Sequence, residues 1–150
     1  MQAVLSDLVR TLEKIHREKN LDVSATCDAG LAFRGERQDL EEMVGNLLDN
    51  ACKWARRRVT VAARRSAATP DGRARLEIDI EDDGPGLSPP DREAVLERGR
   101  RLDETTPGSG LGLSIVKDLV RLYDGELALG VAKGGGLAAR LVLPVAQREV

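Results

Sequence analysis

Apolar side chains recur at Val4, Leu5, Leu8, Leu12 and Ile15 with charges between them, a spacing that predicts a helix from Gln2 to about Lys19. Two short strands are expected next, Leu21 to Cys27 and Leu31 to Arg34, parted by the turn signal Asp28-Ala29-Gly30. A second helix, from about Gln38 to Arg56, turns Leu40, Met43, Val44, Leu47, Leu48 and Ala51 to one side. It ends in arginines that suit the negative end of its dipole. The period then drops to two: Val59, Val61 and Ala63 alternate in one strand and Leu76, Ile78 and Ile80 in the next, a hairpin turning at Pro70-Asp71-Gly72. From Asp83 to Gly110 glycines and prolines interrupt any pattern except a short helix at Pro90 to Glu97, which predicts a lid or binding loop. A further helix, Leu111 to Tyr123, precedes strands Glu126 to Val131 and Leu137 to Leu143, joined through Lys133-Gly134-Gly135-Gly136. The sum is an α+β domain with helices layered on one face of a mixed sheet.

Composition narrows the picture. At 150 residues the chain is the size of one domain and long enough to enclose a core. Hydrophobic residues make up 41% and aromatics only 2%, so that core must be aliphatic. The formal charge of -2 gives no global positive field to hold nucleic acid or acidic lipid, and neither partner is expected. Cys27 and Cys52 form no C-x-x-C pair or Cys/His cluster; both read as small core residues in a reducing cytoplasm. No apolar run approaches the roughly 18 to 20 residues that span a bilayer, so no direct membrane contact is expected.

Within the second helix, NLLDNACKW raises a question: Asn46, Asn50 and Lys53 stand at i, i+4 and i+7 and fall in one narrow stripe beside the leucines. Asparagine carbonyls are neutral oxygen ligands suited to Mg²⁺, and lysine offers a point charge to a phosphate. A solvated polar face would look the same.

In EIDIEDDGPGL the alternation of Leu76, Ile78 and Ile80 places Asp82 on the buried side of its strand. A buried carboxylate needs donors, from backbone, water or a ligand. Being acceptor-only, it would favour an adenine amino group over the carbonyl of guanine. Gly84 and Gly86, lacking Cβ atoms, would let a flat ring come close, although a strand end followed by a Pro-Gly turn explains them equally.

The run PGSGLGLSIV puts Gly108, Gly110 and Gly112 at the start of a helix, where bare amides and the dipole attract anions. The spacing is not that of a P-loop, nor of a dinucleotide-binding fingerprint after a first strand.

These segments, in this order, resemble the catalytic ATP-binding domain of sensor histidine kinases, in the GHKL superfamily that also holds gyrase. DLEEMVGNLLDNACKW is similar to the N box, DDGPGL to the first glycine box and GSGLGL to the second, while ERGRRLDETTPGSG is closest to the PhoQ type. The resemblance covers nearly the whole chain. It implies a two-layer α/β sandwich of the Bergerat kind: a mixed, mostly antiparallel sheet of about five strands, three helices on one face, and a mobile ATP lid at about 83–110.

Residue by residue, the resemblance implies that Asn50 ligates Mg²⁺, with Asn46 beside it near the phosphates. Lys53 would bind phosphate, and Trp54, where the family often has tyrosine, would lie against the nucleotide. Asp82 would accept the adenine N6 hydrogen and Gly84 and Gly86 would border the base. Gly108, Gly110 and Gly112, with Leu111, would form the phosphate-facing end of the lid, and Arg101 would reach the terminal phosphate. Asn46, Lys53 and Arg101 are the residues expected to serve phosphoryl transfer, which is mostly positioning and charge neutralisation. Two positions depart from the pattern: Leu96 replaces a lid aromatic and Thr106 a second basic residue. Nearby Arg98 and Arg100 read as solvated.

The superfamily's ATPases carry glutamate where Asn46 stands; an asparagine cannot take a proton from water, whereas a neutral imidazole needs no base to attack a phosphate. Transfer to a histidine follows from the resemblance. His16 is the chain's only histidine, but KIHREKN lacks the His-Glu and downstream proline of the family's acceptor helix, so it reads as a solvated position. The expected chain is a monomeric, cytoplasmic catalytic domain of a membrane sensor. Its expected partner is the histidine-bearing dimerisation domain of the same kinase, with a response regulator acting downstream. A nucleotide-binding regulatory module, or a GHKL ATPase or serine kinase, are the alternatives.

Overall fold

The computed structural model describes residues 1–66, 73–98 and 111–146, with side chains described except at 94–98 and 111. Five strands form one sheet in the order β1-β2-β3-β5-β4. They are β1 (Asp22–Cys27), β2 (Arg58–Arg65), β3 (Arg75–Asp82), β4 (Glu126–Val131) and β5 (Leu137–Pro144). Strands β1 and β2 run parallel, connected through helix α2 (Arg37–Trp54); every other pairing is antiparallel. The α+β class and the mixed, mostly antiparallel sheet are as the sequence predicts.

Period-two patterning decides which face is covered. Val59, Val61 and Ala63 of β2 oppose Asp82, Ile80 and Ile78 of β3, and these positions share the buried side with Leu141 and Leu143. Helices α1 (Gln2–Ile15), α2 and α4 (Leu111–Leu122) lie on that side, with α2 central between the other two. Leu5, Met43, Leu48, Ile78 and Leu141 are fully buried there. Each such side chain contributes about 1.5–3 kcal/mol relative to exposure. The opposite face is polar: Arg64 bonds Glu77 and Asp79 at 2.8 and 2.6 Å, and Arg140 bonds Asp79 at 2.8 Å. Among the described residues no helix is long and apolar enough to cross a membrane.

Several expectations need correction. Leu31 to Arg34 is not a strand; it makes one bridge, Phe33 to Val145. Phe33 instead meets the Tyr123 ring edge-on at 5.0 Å. In α1, Val9 is buried and Ile15 is 63% exposed, because the helix ends there and a 3-10 turn, Arg17–Lys19, begins. Helix α2 stops at Trp54, so the arginines at 56–58 lie beyond it. Its last carbonyls are served by Lys19, whose Nζ donates to the oxygens of Cys52 and Lys53, each at 2.7 Å. Cys52 is fully buried, but Cys27 only partly so. The short helix α3 (Pro89–Arg98) forms where the sequence places it.

Candidate functional site

The polar stripe of α2 faces α4. Asn46, Asp49, Asn50 and Lys53 line a solvent-open cleft whose other wall is Gly112, Leu113 and Val116. Helix α2 reaches this position because its leucines, one arc away, are buried on the sheet and against α1 and α4. Asn46 donates through Nδ2 to the Glu42 carbonyl at 2.7 Å, which leaves its Oδ1 pointing towards α4. A Cβ on Gly112 would stand 3.0 Å from that oxygen, so glycine permits the first turn of α4 to close on Asn46. The separated segments Asn46–Lys53 and Gly112 therefore share one cavity.

Asp82, Gly84 and Gly86 do not line that cleft. They gather at the C-terminal end of α2, where Gly84 packs on the Trp54 carbonyl. Asp82 is 6% exposed, as its strand parity predicts. Its Oδ1 accepts the Gly84 amide at 2.8 Å and the Leu137 amide at 3.3 Å. Burial pushes this carboxyl above its ordinary range; the two amides pull it down but do not prevail, and Asp83 adds to the push. Gly86 adopts φ +70°, the left-handed turn conformation that favours glycine. Trp54 is 39% exposed at the junction of the two regions.

Sequence reasoning missed three contributors. Asp83 accepts the amides of Arg56 and Arg57 at 2.8 and 3.0 Å, fixing the link from α2 to β2. Burial raises its carboxyl, but the amides of Arg57, Arg58 and Arg56 outweigh that and hold it low. Gly136, in the turn between β4 and β5, lies so close to Asp82 that a Cβ there would stand 2.1 Å from the Asp82 backbone oxygen. Asp49 lines the cleft and bonds Lys53 at 3.2 Å. The glycine run and the acidic pair were visible in the sequence, but their partners are set by sheet register and helix docking. Arg101, Thr106, Gly108 and Gly110 lie outside the described residues, as do Arg100 and the side chains of Leu96, Arg98 and Leu111.

Residues 35–147 match the family described as Histidine kinase-, DNA gyrase B-, and HSP90-like ATPase. The chain belongs to that family. Within it, its likeness is to sensor histidine kinases. Sensor protein kinase CarS of Pseudomonas aeruginosa is 47% identical over 141 residues, 94% of this chain and 30% of CarS. Sensor protein PhoQ of Escherichia coli K12 is 33% identical over 139 residues, 93% of this chain and 27% of PhoQ. The chain thus spans less than a third of the length of these relatives. The solved mycobacterial sensor histidine kinase MprB superposes with TM-score 0.78 at 32% identity, over 97% of this chain and 95% of that one. Full-length ShkA in complex with AMPPNP superposes at 0.81 with 23% identity, over 99% of this chain and 30% of that one, a likeness of fold.

Proposed function

We propose that this chain is the catalytic domain of a protein-histidine kinase: it binds Mg·ATP and passes the γ-phosphate to a histidine on the dimerisation domain of the same kinase. One observation carries the reading, the shared cleft in which Asn46, Asn50 and Lys53 meet Gly112 at the start of α4. A helix N-terminus, a lysine and two amide oxygens are together an apt setting for a polyphosphate and a hard cation.

The donor set fits Mg²⁺. That ion keeps several waters and draws on substrate phosphates, so Asn50 Oδ1 suffices as the protein's ligand. Among the described residues no group of three or more His, Cys, Asp or Glu forms a dedicated metal cage. When bound, the ion would neutralise charge on the phosphates. Asn46 would lie near the phosphates, Lys53 would offer them its ammonium, and Gly108, Gly110, Leu111 and Gly112 would supply backbone amides. Arg101 would meet the terminal phosphate. Next to this cleft, where α2 ends at Trp54, Asp82 would accept the adenine N6 hydrogen, Gly84 and Gly86 would border the base, and Trp54 would lie against the nucleotide.

The acceptor's neutral imidazole attacks the γ-phosphorus, ADP leaves, and no base is required of the chain, consistent with asparagine at 46. The cytoplasm supplies the ATP, and the phosphohistidine passes to a response regulator. Mixing the chain with labelled ATP and a cognate helical partner bearing the histidine tests this. Acid-labile label on the partner is expected. Binding without transfer would make the chain a regulatory nucleotide module instead, and release of free phosphate alone would make it an ATPase.

A further inference from the structure

His16 has no part in the nucleotide reading, yet it is not the solvated residue its sequence setting suggests. It caps α1, and its side chain is only 13% exposed against the C-terminal half of α2. Its Nε2 lies 2.8 Å from Asp49 Oδ1, and the other carboxylate oxygen, Oδ2, lies 3.2 Å from Lys53 Nζ. Because a carboxylate only accepts, Nε2 carries the proton in this contact. Asp49 and Lys53 both line the cleft, and the Lys53 carbonyl is held by Lys19, three residues beyond His16. A lysine on the phosphate cleft is thus tied from behind by its side chain and its backbone, both to the segment that follows α1.

An i, i+4 ion pair on a helix surface is ordinarily loose, since two long side chains must be ordered for little gain. Here the carboxylate is fixed by a second, half-buried donor from another element. We infer that His16 is a positioning residue for phosphate recognition, acting through Asp49 on Lys53; the inference rests on Lys53 being the phosphate ligand. With His16 in place, Asp49 keeps a partner when the ammonium turns to a phosphate. Without it, all of Asp49's pairing falls on Lys53, which is then both less well placed and held back from the nucleotide. Both consequences weaken binding of a polyphosphate and leave the nucleoside end untouched.

Calorimetric titration of the chain with Mg·AMPPNP and with adenosine tests this. His16→Leu should weaken Mg·AMPPNP about fivefold, the size of a contact-pair coupling, with adenosine affinity and the melting curve unchanged. His16→Gln, whose amide can donate to Asp49, should recover most of the loss. In a Lys53→Met background His16→Leu should have no further effect. Wild-type affinity in His16→Leu, equal weakening of both ligands, or the same loss when Lys53 is absent would each overturn the inference. Failure of the wild-type chain to bind Mg·AMPPNP would overturn the reading of the cleft itself, and this inference with it.

Discussion

Gly84 lies directly against the end of α2: a Cβ at this position would stand 2.3 Å from the Trp54 carbonyl oxygen. Both groups are backbone, so neither can swing aside. The contact is what brings the end of β3, with Asp82, to the helix that carries Asn46, Asn50 and Lys53. Gly84→Ala should force the two segments apart and destabilise the fold by about 1–3 kcal/mol. Urea unfolding would measure it, and an unchanged midpoint would refute the contact.

The Asp82 carboxyl is raised above its ordinary value of 3.8, chiefly by burial. For an acid raised on folding, the folded state holds its proton where the unfolded state has lost it. Stability therefore declines as pH rises from the unfolded value through the higher folded one. Asp82→Asn keeps an oxygen to accept the Gly84 and Leu137 amides but cannot ionise. Relative to wild type it should gain stability as pH rises from the ordinary carboxylate value of 3.8, levelling off once Asp82 has ionised in the folded wild type. Its preference for ATP over GTP should fall, since an amide can also donate to a guanine carbonyl. Parallel stability curves or intact discrimination would count against these roles.

Much of this was legible because periodicity is local. The burial of Leu40, Met43, Val44, Leu47, Leu48 and Ala51, and of Asp82 by parity with Ile78 and Ile80, follows from helix and strand geometry alone. The stripe at Asn46, Asn50 and Lys53 followed in the same way. What escaped were contacts between distant segments. Nothing in the sequence near Lys19 says that it will serve the carbonyls of Cys52 and Lys53, nor does Gly136 reveal that it must pass beside Asp82. Such contacts depend on how α1 docks on α2 and on the register of β3 with β5. The apolar run at Leu31 to Arg34 failed for a related reason: Phe33 finds Tyr123 rather than a full strand partner.

Asn50→Ala should abolish the magnesium-dependent part of nucleotide affinity with little loss of stability, because Asn50 faces the cleft rather than the core. Calorimetry with ATP in excess Mg²⁺ and then in EDTA separates the two contributions. Equal Mg·ATP affinity in mutant and wild type would remove Asn50 from the metal site.

Gly112→Ala separates function from stability most sharply. Gly112 sits in the first turn of α4, where alanine is intrinsically the better helix former by about 1 kcal/mol. The added methyl, however, would meet Asn46 Oδ1 at 3.0 Å, and Asn46 is tethered to the Glu42 carbonyl. Either the asparagine gives up that bond or α4 backs away by a few tenths of an ångström, and both outcomes alter the wall of the cleft. The expected result is a melting temperature at or above that of wild type together with a severalfold loss of Mg·ATP affinity. A variant that binds nucleotide as well as wild type would show that the junction of Asn46 with α4 does not shape the phosphate site. A variant that loses stability and affinity together would show that the glycine serves packing instead.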